Sequence, residues 1–171
     1  MALSYDLIAS IYDELYGPEQ LRKNSVVATF VDGTRSIADV GCGTGILGER
    51  LHDTDYYLCI DLSEGMLRIF KEKRLNVPSD ALEADAEHLP LRDNIFEAVA
   101  SVTVLHEVPG ALEQIHRIAA PGAIVVVSLK KTLKTSIQLN GFTILNLIES
   151  GGDEIYAMKV VKQMPFHHVS E

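Results

Sequence analysis

The spacing of apolar positions changes character once along the chain. Over the first 30 or so residues it is helical. Leu7, Ile8, Ile11 and Leu15 share one face, and beyond Gly17-Pro18, which reads as a break, Leu21, Val26, Val27, Phe30 and Val31 continue it. Past Asp32-Gly33, short apolar runs at residues 36–40, 56–60, 81–84, 96–105 and 123–129 alternate with helical stretches at 46–52, 64–75 and 111–119. Strands alternating with helices predict βαβ crossovers and a parallel sheet covered on both faces. Val125-Val126-Val127 and the run from Val99 to Leu105 lack polar alternation, as buried central strands do. The rhythm ends differently. Two strand-like runs, 142–148 and 155–161, flank Gly151-Gly152 and predict an antiparallel hairpin. Residues 1–32 therefore read as an N-terminal helical cap, and 33–165 as a ligand-binding α/β domain.

Composition narrows the class. A chain of 171 residues with 47% apolar and 23% charged residues is long enough for one domain and is not wholly disordered. No apolar run approaches the ~20 residues that span a bilayer. The first residues carry no basic lead into an apolar stretch, so no signal peptide is expected. Cys42 and Cys59 are too few for a disulfide framework and neither lies in a CxxC pair, which makes the cytoplasm the expected compartment. With 24 acidic against 15 basic side chains, the net charge of −9 argues against nucleic-acid binding through a broad basic face. An acidic chain can still act on RNA if a partner supplies the positive surface. His167 and His168 read as solvated residues of a polar tail, and no metal site is expected.

The most informative stretch is Ile37-Ala-Asp-Val-Gly41-Cys-Gly43-Thr-Gly45. A strand ends at Val40, the glycines permit a tight turn and close backbone approach, and a helix is expected from about Gly45. The exposed N–H groups of such a loop and helix suit an anionic group. A phosphate P-loop is excluded, because Gly48 is followed by Glu49-Arg50 rather than Lys-Ser or Lys-Thr. A dinucleotide loop remains formally open, since Gly43-Thr-Gly45-Ile-Leu-Gly48 fits GxGxxG. Asp39 weighs against it. A carboxylate two residues before Gly41 repels a pyrophosphate by ~1 kcal/mol or more per close pair even in water-like surroundings. It favours a ligand with an ammonium group, and S-adenosylmethionine has one, beside an α-carboxylate and a sulfonium. The alternative for Asp39 is a strand-end acid satisfied by local backbone.

Asp61 closes the second strand 20 residues after Gly41, where an acid accepts both hydroxyls of a ribose. It serves an NAD ribose equally well, and otherwise it is a helix N-terminal charge ahead of Ser63-Glu64. Asp85 ends the third strand, where a carboxylate accepts an adenine amino group beside a donating backbone N–H; its alternative is capping of the turn before Leu89-Pro90. Leu62 and Met66 are placed to sandwich the adenine, or else to fill the core.

These blocks resemble the class I S-adenosylmethionine-dependent methyltransferases, nearest the small ubiquinone- and menaquinone-biosynthesis-like (type 11) group. The resemblance runs from about Tyr5 to Lys162. It rests on residues 39–45, Asp61-Leu-Ser-Glu-Gly-Met66, Asp85-Ala86-Glu-His-Leu-Pro90, Phe96-Glu-Ala-Val99 and Pro121-Gly122 before a strand. It implies a Rossmann-like, doubly wound seven-stranded sheet ordered 3-2-1-4-5-7-6 with strand 7 antiparallel. By motif position it implies cofactor contacts at Gly41, Cys42, Gly43, Asp61, Asp85, Ala86 and the end of the fourth strand, Ser101 and Val102. Tyr5-Asp6 and Tyr12-Asp13 are similar to the family's N-terminal signature, in which a tyrosine closes over the cofactor. The chain departs from the pattern after the fifth strand. Only about 12 residues, Lys130 to Gly141, precede the hairpin where many relatives carry a substrate-covering insertion.

Methyl transfer is an in-line displacement that needs alignment first and a base only if the acceptor arrives protonated. His106, after the fourth strand, is the candidate base, with helix capping or a structural bond as its alternative. Glu107 reads as the opening of the next helix. The acceptor is not specified. The expectations are a methyltransferase acting on a small molecule, or on RNA or protein through a partner, as a homodimer or with a small activator subunit. The alternative is a cofactor-binding or regulatory subunit without turnover.

Overall fold

The computed structural model describes residues 5–132 and 137–163. Helix α1 (Tyr5–Val31) leads into β1 (Ser36–Val40), β2 (Tyr56–Asp61), α2 (Glu64–Glu72), β3 (Ser79–Glu83), β4 (Phe96–Ser101), α3 (Ala111–Ile118) and β5 (Ala119–Lys130). The hairpin of β6 (Phe142–Ser150) and β7 (Asp153–Val160) follows. All seven strands form one sheet, ordered β3-β2-β1-β4-β5-β7-β6. β7 runs antiparallel to both β5 and β6, while the other neighbours are parallel. The expected doubly wound order is therefore present.

Alternation along the strands sorts the core into two layers. Val40, Val99, Val125, Val127 and Met158 pack with Leu112, Ile115 and Ile118 of α3 on one face. Ile37, Tyr57, Ala100, Val126 and Ile155 pack on the other with Val27 and Val31 of α1 and Leu67 and Phe70 of α2. The parallel strands end together at the edge that carries Asp39, Asp61 and Ser101, and the C-terminal half of α1 is anchored beneath that edge.

Four local expectations are corrected. Helix α1 runs unbroken through Gly17-Pro18. Pro18 removes one helical N–H, but the core contacts of Val27, Ala28 and Val31 and the polar contacts of the first turns hold the helix on both sides. Leu7, Ile11 and Leu15 share a face as their spacing requires, yet that face is solvent-exposed, Leu7 to 83%. No α-helix follows the glycine loop. Gly45 is left-handed at φ 78°, and only a single 3-10 turn, Gly48–Arg50, forms where a helix over 46–52 was expected. β4 stops at Ser101 rather than continuing to residue 105, because Thr103 turns the backbone into the left-handed region at φ 61°. Apart from these, Cys42 and Cys59, too few for a disulfide framework, are joined to each other by a disulfide. His167 and His168 lie outside the described residues. Among those described, no helix is long and apolar enough to cross a membrane.

Candidate active site

The loop after β1 is shaped by three left-handed glycines with different surroundings. A Cβ on Gly41 (φ 74°) would overlap Val104, and one on Gly45 (φ 78°) would overlap Phe70. Gly43 (φ 57°) would meet nothing nearer than a Tyr12 ring carbon at 3.9 Å, so it alone faces open space. The N–H groups of Gly41 and Cys42 both donate to the Ile60 carbonyl, at 2.8 and 3.0 Å, and that of Gly45 donates to the Cys42 carbonyl at 3.0 Å. The Gly43 N–H donates to Asp61 Oδ2 at 2.8 Å. These four amides are committed, so the loop supplies shape rather than the anion-holding donors expected of it. The Cys42–Cys59 bond adds a covalent tie from the loop to β2.

Two acids flank this loop. Asp39 is 2% exposed and accepts the Tyr57 hydroxyl at 2.6 Å. Burial pushes its pKa up to about 7; the Tyr57 hydrogen bond opposes the rise and the charge of Asp61 adds to it. Asp61 accepts from Ser63 N–H at 2.9 Å as well as from Gly43, and burial raises its pKa against those bonds.

The cavities show which expected residues come together. Tyr5, Tyr12, Gly41, Gly43, Asp61, Met66 and Val102 line one cavity of about 120 Å³, together with Thr103, Val104, Glu107 and Val108. Asp39 and Cys42 line a small annex of about 30 Å³ beside it. Neither lining contains a lysine or arginine. Four expected residues lie outside both. Ser101 is fully buried and donates to the Val40 carbonyl at 3.0 Å. Asp85 caps its own turn, accepting Glu87 N–H at 2.9 Å and facing His88 Nδ1 at 3.1 Å. Leu62 is 68% exposed, and Ala86 packs against the core layer of α3.

The inner stripe of α1 covers the site. Asp6 accepts Ser63 Oγ at 2.6 Å and Gly65 N–H at 2.8 Å, which fastens α1 to the start of α2. Asp13 accepts Thr44 Oγ1 at 2.5 Å and pairs with Lys73 at 3.0 Å, which fastens it to the glycine loop. The Tyr5 hydroxyl donates to both oxygens of Glu107, at 3.0 and 3.2 Å. Burial first, then the charge of Glu107, raises the Tyr5 pKa to about 12, so the phenol remains a donor.

A further cavity of about 230 Å³ adjoins the first and shares Tyr5, Tyr12, Thr103 and Glu107 with it. Glu19, Gln20, Tyr16, His106 and Lys130 complete its polar lining. His106 Nε2 lies 3.5 Å from Glu107 Oε1, and Nδ1 is buried with no hydrogen-bond partner among the described residues. Burial, then Lys130, holds the His106 pKa below the usual imidazole value. Beneath the floor, fully buried Lys23 bonds Asp153 at 2.9 Å, Glu19 at 2.6 Å and Thr103 Oγ1 at 3.2 Å. Sequence reasoning assigned no site role to Glu19, Gln20, Lys23 or Lys130. Their only signal was their polarity on one side of a helix of mixed composition, and a charge at the end of β5.

A mostly parallel sheet with an acid at the end of β2 and a left-handed glycine loop beside a cavity is the architecture of a Rossmann-like nucleoside-cofactor domain. The comparisons make the class specific. A family model described as a methyltransferase domain matches residues 38–127, more than half of the chain, and the chain belongs to that S-adenosylmethionine-dependent family. It is 34% identical over 111 residues to the mitochondrial arginine-hydroxylase NDUFAF5 of Danio rerio, covering 59% of this chain and 34% of that one. It is 35% identical over 109 residues to the malonyl-[acyl-carrier protein] O-methyltransferase of Geobacter sulfurreducens, covering 60% of this chain and 38% of that one. The chain thus spans about a third of the length of these curated relatives. In fold it is similar to a chain from the complex between the Haloferax volcanii Trm112 methyltransferase activator and its methyltransferase. That match has a TM-score of 0.73 and 13% identity, and covers 95% of this chain and 100% of that one.

Proposed function

We propose that this chain transfers the sulfonium methyl group of S-adenosylmethionine to a nucleophile seated in the adjoining cavity. The observation that carries this reading is the pair of cavities with a common wall. One is lined by Asp61 and Glu107 with no basic side chain, and the other opens from it through Tyr5, Tyr12, Thr103 and Glu107. When bound, the cofactor supplies an electrophilic carbon that needs alignment more than chemical activation. Asp61 accepts the ribose hydroxyls, using the lone pairs left free by Gly43 and Ser63. Asp39, in the annex, faces the ammonium of the amino-acid tail, and Gly43 leaves the space for that tail to pass. Met66 packs against the adenine, and Leu62, Asp85 and Ala86 reach it only by leaving their present contacts. Tyr5 and Tyr12 exclude water from above.

The division into a covering helix, residues 1–32, and a cofactor domain, 33–165, is part of this proposal. So is a partner, either a small activator subunit or a second copy. The five-residue strand β3 lies at the sheet edge with an unpaired side, and the structural relative named above was solved with an activator.

Calorimetry with S-adenosylhomocysteine, with NADH as the control, tests the reading. Asp61→Ala is expected to weaken S-adenosylhomocysteine binding by roughly 1.5–3 kcal/mol, the range for hydrogen bonds to a charged group. Transfer of labelled methyl to a cell extract then separates an enzyme from a subunit that only binds. Binding of NADH in place of S-adenosylhomocysteine would overturn the assignment.

A further inference from the structure

We propose that the 230 Å³ cavity receives a small amine as its methyl acceptor, held as the ammonium between the carboxylates of Glu19 and Glu107 and the rings of Tyr5, Tyr12 and Tyr16. This inference rests on the methyl-transfer reading and names its substrate class.

Three features of the cavity converge on an amine. The first is charge. Its lining brings two carboxylates, Glu19 and Glu107, against one cation, Lys130. Lys23 lies behind the wall and is already shared between Glu19 and buried Asp153. An anionic acceptor would enter against the majority charge. The second is the aromatic stripe. Tyr12 lies 6.4 Å from Tyr5 and 5.2 Å from Tyr16 between ring centroids, so three aromatic rings with their electron-rich faces cluster along the cavity wall. Such faces attract a desolvated ammonium. The third is His106, whose side chain is only 9% exposed and whose Nδ1 has no partner among the described residues. His106 also lines the cavity beside Glu107, so a base and a counter-charge stand together at its wall.

The placement also balances the chemistry. Glu107 and Thr103 line both cavities, so nitrogen and methyl meet at that seam. The ammonium R–NH3+ gives one proton to His106. The freed lone pair forms the N–C bond to the methyl carbon as the C–S bond breaks, and that electron pair stays on sulfur. The products are a methylammonium, a neutral thioether and an imidazolium beside Glu107. Lysine or arginine in place of Glu107 would forfeit the last interaction.

The test uses two matched sets of compounds, phenethylamine, hydrocinnamic acid and phenethyl alcohol, and butylamine, valeric acid and butanol. Binding is followed by the chain's own fluorescence in saturating S-adenosylhomocysteine. The chain has no tryptophan, so this signal reports its tyrosines. At least one amine is expected to bind saturably and on the order of tenfold more tightly than its matched acid and alcohol, the factor of one charge-assisted contact. Glu19→Gln should erase that preference while S-adenosylhomocysteine affinity stays within about twofold, since a retained cofactor site shows that the variant is folded. Equal or tighter binding of the acids or alcohols, or no amine binding to a chain that holds S-adenosylhomocysteine, would overturn the inference. Failure to hold S-adenosylhomocysteine at all would instead refute the cofactor reading beneath it.

Discussion

Lys23→Met is the sharpest structural test, because the geometry predicts both a large cost and its rescue. Lys23 Nζ is fully buried, 2.9 Å from Asp153 Oδ2, and Asp153 is itself 2% exposed. Methionine keeps most of the apolar stem, so packing changes little. What changes is charge. Asp153 keeps one neutral side-chain donor, the Thr103 hydroxyl at 3.3 Å. A buried carboxylate stripped of its cation costs ~3–5 kcal/mol. Glu19, whose side chain is 43% exposed, rehydrates and adds little. Adding Asp153→Asn removes the orphaned charge, so the double variant should recover most of the loss and show a coupling energy of roughly 2 kcal/mol or more. Urea unfolding of the four proteins measures this directly. A single-variant cost below about 1 kcal/mol, or a double variant whose loss equals the sum of the singles, would refute the buried-pair account. The network also holds Thr103 in its left-handed conformation between the two cavities, so Lys23→Met should weaken ligand binding as well as stability.

Asp39 titrates near 7 in the folded chain against an ordinary 3.8, so the native state binds its proton more tightly than the unfolded state across that interval. Stability should therefore fall as pH rises from about 4 to 7, by up to ~4 kcal/mol from this group, and Asp39→Asn should flatten that part of the profile; an unchanged slope would refute it. Reduction of Cys42–Cys59, which closes a loop of 17 positions, should cost ~3 kcal/mol in urea unfolding with and without a phosphine reductant, and equal curves would show that the bond carries no stability. Gly45→Ala, which drives a Cβ into Phe70, should destabilise by ~3 kcal/mol or more, whereas Gly43→Ala meets only open space and should cost the ~1–2 kcal/mol of a left-handed alanine. Equal costs at the two positions, measured by thermal melting, would contradict the different surroundings described for them.

Strand positions were legible because burial on both faces leaves a local trace. Val125-Val126-Val127 is apolar without alternation and lies in an interior strand of the sheet, between β4 and β7. Asp61 was legible because it ends such a run and Asp39 because it precedes the last residue of one, and a strand's end is fixed by the run itself. Features that depend on two distant segments left no such trace. Cys42 and Cys59 are 17 positions apart with no periodic relation, and only the parallel register of β1 on β2 brings them together. Lys23 and Asp153 are joined because β7 returns antiparallel beside β5, which no spacing within α1 foretells.

Helix α1 shows why periodicity alone misjudged the site. Spacing establishes which residues share a face but not what that face meets. Leu7, Ile11 and Leu15 do share one, and the ordinary inference turns it inward. In this fold the ground beneath the N-terminal half of α1 is not apolar core; it is a pair of cavities walled by Asp61, Glu107 and the backbone of the glycine loop. A helix covering such ground must present polar groups to it, and Tyr12, Tyr16, Glu19 and Gln20 recur at the three- and four-residue intervals that do so, with Tyr5 two turns earlier on the same side. The aliphatic stripe is then displaced toward solvent. From Gln20 onward, where Lys23 and Val27 descend onto β5 and β7, the helix has a continuous buried face, whereas Ala9 alone is buried before it. The outward leucines and the inward polar stripe are thus one consequence of placing a binding site, rather than a core, under the first half of the helix.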